Sequence, residues 1–449
     1  MGAAIENAAR CAAVLVAAPA SGQGKTTVAA ALARLHARQG RRVRAFKCGP
    51  DFLDPQWLAL ASGQSVDSLD LWINGESDCR ARLHAAARDS DLIVVEGVMG
   101  LFDGQPSAAD LARRLRLPVL AVIDAGSMAG TFGALVHGLK SYEADLPWAG
   151  VLANRVASER HGAMLQGALR ERSDWLGGLP KGAQFSLPER HLGLVGSAEL
   201  EDALARIDAA ADALAATPLG QMAPADLPQA MFDAVAQASV PRLLEGRRIA
   251  IARDAAFAFI YPANVQVLEA MGARCVFFSP LAGDALPDCD ALWLPGGYPE
   301  LHAGALSVRD DLRAQLAAHV AQGRPVWAEC GGMMALFEEL VDAQGQVHAM
   351  WGLLPGRTVM QRRLAGLGPQ QLVLESHTLR GHTFHYSTCQ SPLQPSTRSA
   401  RPGMPPAPDA GEALYVHGPV RASYFHAWFA SSPEAVAQLF SAAAQARHG

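Results

Sequence analysis

Apolar positions along this chain come in short, nearly unbroken runs, each followed by a glycine-rich turn and then a longer stretch of helical character. Cys11–Ala18 is such a run; a Gly/Ser turn follows, and the Ala/Leu-rich stretch Thr26–Gln39 ends at Gly40, which reads as strand, loop and helix. Val43–Phe46 runs into KCGPDFLDP, and Leu92–Val95 runs into EGVMGLFDG after a helical stretch near 78–87. Pro118–Ile123 and Gly150–Leu152 continue the series, each after a helix-like segment. Unbroken apolar strands alternating with helices predict a parallel sheet covered on both faces. The motif-bearing turns fall at the strands' carboxyl ends, where open α/β sheets hold their ligands.

The pattern lapses between about 215 and 245, where TPLGQMAPADLPQ and SVPRLLEG bring prolines and few strand signals. A second βα series then begins: Arg248–Ala252, a helix over Asn264–Met271, Cys275–Phe278, Ala291–Leu294 entering PGGYPE, and Pro325–Ala328 entering ECGG before a helix near Met333. The expected organisation is a first α/β domain over 1–215, a linker over 216–246 and a second α/β domain over 247–449. Ser391–Asp409, rich in Pro, Ser and Arg, reads as a flexible surface loop, and neither an internal repeat nor a heptad run is visible.

Composition narrows the classes. With 449 residues, 50% of them hydrophobic, and a net charge of −5, the chain is neither a basic nucleic-acid binder nor a disordered one. Its length suits two domains with cores of their own. No apolar run approaches the roughly 20 residues a membrane helix needs; Glu96, for example, interrupts LIVVEGVMGLF. Arg10, the run Cys11–Ala18 and the triplet Ala18-Pro19-Ala20 imitate a secretory signal. Cleavage after Ala20 would discard a strand and cut into SGQGKTT, and Glu6 weakens the positive segment that export needs, so the expected location is the cytoplasm. There the seven cysteines, none in a CxxC pair, would be reduced packing residues by default.

The turn Ala18-Pro19-Ala20-Ser21-Gly22-Gln23-Gly24-Lys25-Thr26-Thr27 has the GKT core of a phosphate-binding loop between strand and helix. Glycine backbone can wrap phosphate oxygens, Lys25 adds a cation, and the Thr26 hydroxyl can ligate magnesium carried by the nucleotide. Pro19 stands where the strict pattern has its first glycine, while Gly22, Gly24 and the context survive. Ser21, Gly22, Gly24, Lys25, Thr26, Thr27 and Lys47 are the expected nucleotide contacts. Carboxylates follow at the next strand ends: Asp51 and Asp54, then Glu96 and Asp103. Beside an anionic nucleotide they require a cation, and Mg2+ takes oxygen ligands while keeping waters and phosphate oxygens. Thr26, Asp51 and Glu96 are therefore expected at the metal, and Asp54 and Asp103 at the acceptor substrate or a second ion. For any one Asp, capping a helix or closing a turn is the competing reading.

In this order, the phosphate loop, KCGPDFLDP and EGVMGLFDG resemble the P-loop NTPase, dethiobiotin-synthetase-like amidoligase domain of cobyrinate a,c-diamide synthases, whose loops read close to KxGPDxxDP and EGVMGLxDG. The resemblance implies that Asn154, in LANRV, contacts adenine.

In the second half Cys330 lies in Trp327-Ala328-Glu329-Cys330-Gly331-Gly332, between an apolar strand and a helix. Such a turn exposes a nucleophile, and the helix N-terminus favours its thiolate. His426, in SYFHAWF, is an available partner, and Gly296 and Gly297 in PGGYPE offer backbone N–H groups for an oxyanion. These elements resemble a class I glutamine amidotransferase of the cobyrinate/cobyrate type, which implies that Cys330 is the nucleophile of a thioester mechanism releasing ammonia and His426 its base. The family commonly reads close to GHEFHYS and HxHF, so Thr383 and Trp428 here replace a usual acid and a usual second histidine. His382 and His385 read as structural or substrate-lining rather than metal ligands.

The resemblance spans nearly the whole chain. It implies ATP- and glutamine-dependent amidation of the a and c acetates of cobyrinate or hydrogenobyrinate in cobalamin biosynthesis, through acyl phosphates. ATP is then a co-substrate and Mg2+ the cofactor, and the partners are small molecules, with no nucleic acid or membrane; a homodimer is compatible with this reading. Ammonia is mostly protonated at neutral pH, so the chemistry also calls for an internal passage between the two reactions. Alternatives are an amidoligase for another tetrapyrrole, of the cobyrate or nickel-sirohydrochlorin type, and a P-loop switch ATPase with an inactive second domain. Switch ATPases carry a lysine early in the loop, where this chain has Ala20.

Overall fold

The computed structural model describes residues 8–190, 193–194, 200–236, 239–408 and 410–441. The chain divides into two compact units, Met1–Gln237 and Ala238–Gly449.

In the first unit the strands are β1 (Ala9–Ala17), β2 (Val43–Cys48), β3 (Asp67–Leu69), β4 (Leu92–Glu96), β5 (Val119–Asp124), β6 (Trp148–Val156), β7 (Trp175–Pro180), the short pair β8 (Glu189–Arg190) and β9 (Gly193–Leu194), and β10 (Gln229–Phe232). The sheet runs β3-β2-β4-β1-β5-β6-β7, all parallel, so strand order reverses about β1. Residues alternate across a strand: Cys11, Ala13, Leu15 and Ala17 enter the core on one face, Ala12, Val14 and Val16 the core on the other. The helix α1 (Lys25–Arg38) begins directly after Gly24, whose φ of 97° suits glycine, and buries Val28, Leu32 and Leu35. Next comes α2 (Asp54–Ser62), with Pro55 in its first turn, where a missing N–H costs nothing.

The expected linker, 216–246, is partly structured. It contains a short helix over Pro218–Gln221 and β10, which pairs antiparallel with the start of β1, Ala9 opposite Phe232. Four residues bounded by proline and aspartate carry little periodicity, but Ala230 and Phe232 are buried in the core.

In the second unit, β11 (Arg248–Ala252), β12 (Arg274–Phe278), β13 (Ala291–Leu294) and β14 (Val326–Glu329) follow the expected series. Then come β15 (Phe337–Val341), β16 (Val347–Ala349), β17 (Leu354–Met360), β18 (Gly366–Leu374), β19 (His377–His385), β20 (Ser387–Gln390), β21 (Thr397–Arg398), β22 (Ala413–His417), β23 (Val420–Ser423) and β24 (His426–Ala427). The main sheet is β12-β11-β13-β14-β23-β22-β21, with two smaller sheets, β16-β15-β17-β20 and β18-β19-β24. The stretch 391–409, read as a flexible loop, is pinned over its described part. There β21 joins the main sheet, Gln371 and Ala400 exchange backbone hydrogen bonds of 2.7 and 2.8 Å, and Ser399 is fully buried. Asp409 lies outside the described residues.

Candidate active sites

The first site forms where β1, β2 and β4 end. Gly97 N donates to Val16 O and Leu101 N to Ala18 O, both at 2.8 Å, so the EGVMGLFDG loop is tied to the stem of the phosphate loop. Lys25, 8% exposed, donates to Met99 O at 2.7 Å and Ala20 O at 3.2 Å. Thr26 Oγ1 donates to Glu96 Oε1 at 2.6 Å. Ser21 and Gly22 are exposed and Gly24 and Thr27 half-buried along the same turn.

Lys47 is the centre of the charge network. Only 2% exposed, its ammonium lies 2.8 Å from Asp54, 3.3 Å from Glu96 and 4.0 Å from Asp51, and donates to Gly97 O at 3.0 Å. Burial opposes the Lys47 charge, but Asp54, Glu96 and Asp51 outweigh it and hold the lysine protonated. Burial alone would also raise Asp54; the Lys47 ammonium holds it below the usual carboxylate range. Burial pushes Asp51 and Glu96 up. Burial and the neighbouring Lys47 charge push Lys25 below an ordinary lysine. The cation expected to offset the acidic loops is thus partly built in, and Lys47 is enclosed by carboxylates and carbonyl rather than presented to a phosphate.

Three expected residues have structural tasks as well. Asp51 Oδ1 accepts from the amides of Leu53 and Asp54 at the start of α2. Asp103, exposed, closes a turn by accepting from Gly100 N at 3.0 Å. Asn154 Nδ2 donates to Gln23 O at 2.8 Å and its Oδ1 accepts from Arg155 N, so the side chain braces the phosphate loop from β6. A Cβ on Gly24 would lie 2.2 Å from Asn154 Nδ2, which is why the loop needs glycine there. Among the described residues no group of three or more His, Cys, Asp or Glu side chains is arranged to hold a metal. A magnesium ion that takes most ligands from phosphate and water needs no such group. Glu96 supplies the fitting feature: it is fully buried, and its Oε2 has no hydrogen-bond partner.

The second site forms at the end of β14. Cys330 has φ 46° and ψ −108°, a strained conformation for a residue other than glycine, and is 4% exposed. Its amide donates to Ser423 O at 2.7 Å, tying the turn to β23. The helix after it, Gly331–Leu336, has six residues. The expected thiolate preference does not hold in this state: burial pushes the Cys330 thiol up, Glu300, Glu412 and Glu329 add to the push, and the Gly331 amide opposes it only in part. A base must take the proton.

Glycines bring the parts together. A Cβ on Gly331 would meet Pro299 and Gly297 at 2.7–2.9 Å, and one on Gly296 would lie 2.4 Å from His426 Cε1. PGGYPE, ECGG and His426 therefore pack against one another without room for a side chain. His426, 1% exposed, stacks on His382 at 4.9 Å, and Tyr261 Oη lies 3.3 Å from His382 Nδ1. Burial pushes His382 down to about 3 and His426 well below its ordinary value, so both rings are neutral.

Thr383 Oγ1 donates to Glu412 Oε1 at 2.8 Å, and His385 Nε2 lies 3.1 Å from the same oxygen. Where the family's usual acid is missing, a carboxylate arrives from the residue before β22. Trp428 packs edge-on to Tyr261 at 5.1 Å. The residue missed from sequence is Glu329, 2% exposed, with Oε2 at 4.0 Å from His426 Nδ1. The available signal was a carboxylate closing the apolar strand VWAE immediately before the nucleophile.

Comparison with known proteins agrees with this division. Residues 14–195 match the CobQ/CobB/MinD/ParA nucleotide binding domain, and residues 248–434 the CobB/CobQ-like glutamine amidotransferase domain. The chain is 56% identical over 430 residues to hydrogenobyrinate a,c-diamide synthase of Stutzerimonas stutzeri, covering 96% of this chain and 98% of that protein. It is 54% identical to the protein of the same name from Pseudomonas aeruginosa, covering 98% and 99%. To cobyrinate a,c-diamide synthase of Herminiimonas arsenicoxydans it is 48% identical, covering 95% and 96%. An order-reversing sheet with a phosphate loop, a strained cysteine turn beside a histidine, and identity of this extent over the full length of these relatives place the chain in the cobyrinate and hydrogenobyrinate a,c-diamide synthase family.

Proposed function

We propose that the chain is an ATP-dependent, glutamine-hydrolysing ligase that amidates the a and c acetate carboxylates of cobyrinate or hydrogenobyrinate in cobalamin biosynthesis. The observation that carries this reading is the presence, on one chain of this family, of both a phosphate-loop site and a cysteine–histidine site.

A carboxylate resists amines because oxide is a poor leaving group. In the first unit the acetate oxygen attacks the γ-phosphate of ATP; an O–P bond forms, the bond to ADP breaks, and an acyl phosphate results. Ammonia then adds to the acyl carbon and phosphate leaves. Gly22, Gly24 and Thr27 bind phosphate oxygens through backbone N–H groups, Ser21 lies at the turn's exposed rim, and Lys25 exchanges its carbonyl partners for phosphate. Thr26 and Glu96, with Asp51 beside them, would hold Mg2+, which neutralises phosphate charge when bound. Asp54 and Lys47 keep the carboxylate wall fixed, Asp103 faces the acceptor, and Asn154 braces the loop instead of reading adenine.

In the second unit Cys330 attacks the glutamine amide carbon while His426 takes its proton, and Gly296 and Gly297 offer N–H groups to the oxyanion. The imidazolium protonates the departing nitrogen, ammonia leaves, and water hydrolyses the thioester to glutamate. The enzyme works in the cytoplasm on these small molecules.

Replacing Cys330 by Ala tests the pairing of the two chemistries. The variant is expected to release no glutamate from glutamine, yet to amidate the ring with ammonium salts as the wild type does. Equal amidation of wild type and variant from glutamine would overturn the assignment of Cys330.

A further inference from the structure

We propose that Glu329 is the positioning residue of the glutaminase site, setting the tautomer of His426 so that Nε2 is the nitrogen that receives the Cys330 proton. This rests on the cysteine–histidine reading above and adds to it the group that orients the base.

The geometry begins with strand alternation. Trp327 and Glu329, two residues apart on β14, share a face, and Trp327 lies in the same core cluster as Ala427 and Phe429. The Trp327 indole N–H donates to Glu329 Oε1 at 2.7 Å, and the Ala427 amide donates to the same oxygen at 3.3 Å. One carboxylate oxygen is thereby fixed to the backbone of the strand that carries His426, and the other, Oε2, is left facing Nδ1 at 4.0 Å. That separation is within ion-pair reach and about one ångström beyond a hydrogen bond. Catalytic hydrogen bonds are often long before substrate binds and shorten in the complex.

His382 stacks on one face of the ring, the Phe259 ring lies tilted to it at 6.0 Å, and the site of Gly296 leaves no room beyond Cε1. Titratable groups that face or act on the imidazole are Glu329, His382 and His385. Of these, Glu329 is the one that can accept a proton-bearing bond from Nδ1; burial pushes its carboxyl up to about 8, so it does so once ionised, in mildly alkaline solution or when the imidazolium forms beside it. Nδ1–H then points to Glu329, Nε2 keeps its lone pair for the thiol, and the imidazolium formed on proton transfer has a counter-charge beside it. The role differs from that of a group touching substrate: Glu329 acts through His426.

Glu329→Gln is the discriminating variant. Its carbonyl can still accept from Trp327 and Ala427, but its NH2 then faces Nδ1, favouring the tautomer with Nε2 protonated. The expected result is a fall in glutaminase kcat of about a hundredfold to ten-thousandfold, the range a wrong-tautomer base shows. KM for glutamine should stay within about threefold. Nitrogen NMR of labelled histidines above about pH 8, where Glu329 is ionised, with the His426 signal assigned by His426→Gln, should show Nδ1–H in the wild type and Nε2–H in the variant. Glutaminase retained within about threefold, or a tautomer unchanged by the substitution, overturns the proposal. A wild type that releases no glutamate would contradict the functional reading itself, and the tautomer measurement would still decide the role of Glu329.

Discussion

Lys47 holds the acidic wall of the first site together, because its ammonium is the shared partner of Asp54, Glu96 and Asp51. Replacing it by Met leaves these carboxylates facing one another without their counter-charge. Removing one partner of a buried ion pair costs about 3–5 kcal/mol. Lys47→Met should lose stability on that scale in urea denaturation and lose ATP-dependent amidation; stability within about 1 kcal/mol of wild type would contradict the central role given to Lys47. Glu329 makes a separate prediction about pH. Burial raises its carboxyl to about 8, against the lowering effect of the Trp327 indole and the Ala427 amide. An unfolded Glu ionises near about 4.3. Between these values the unfolded chain releases the proton first, so this group's contribution to stability falls as pH rises through the window and levels off above it. Glu329→Gln should flatten that decline when the second unit's unfolding midpoint is compared at acid and mildly alkaline pH, and an unchanged slope would refute the assignment.

At the scale of elements, both sites depend on turns that connect a parallel strand to a helix, and on glycines that let the turns close. Gly24 combines a left-handed backbone with an Asn154 amide where a Cβ would go. Gly24→Ala should abolish ATP binding measured by calorimetry while leaving glutaminase intact. Gly296→Ala pushes against the imidazole of His426 instead, and a misplacement of about 1 Å can cost on the order of a hundredfold. It should reduce glutamate release by that order and spare amidation from ammonium; a normal glutaminase would mean that the ring is not held by this contact. The strand-turn-helix units were the legible part of the sequence, since a buried parallel strand is an apolar run and its loop is marked by glycine and charge. The strand Gln229–Phe232 was not, because four residues between a proline and an aspartate carry no period. The two smaller sheets after Leu336 were equally hard to read, because their strands are partly exposed and mix polar with apolar residues, as GLGPQQLVL does.

For the whole molecule, the legible facts were two α/β units, each with its chemistry at strand ends, and the residues in their loops. What stayed hidden depends on contacts between distant segments. Asn154 reaches the phosphate loop 131 positions earlier, and Glu412 reaches Thr383 from the residue before β22; neither is encoded in local spacing. The helix-terminus argument for a thiolate failed because burial and surrounding carboxylates are invisible in a local motif. Two units with separable reactions should also fail separately: lesions at Cys330 should stop the use of glutamine alone, whereas lesions at Lys25 should stop amidation from every nitrogen source.

The most direct test of the account is the product mass after incubating the protein with MgATP, glutamine and either cobyrinate or hydrogenobyrinate. The account predicts that one of these rings gains both amides, and that omitting ATP abolishes the gain. ATP hydrolysis with no amide added to either ring would contradict it.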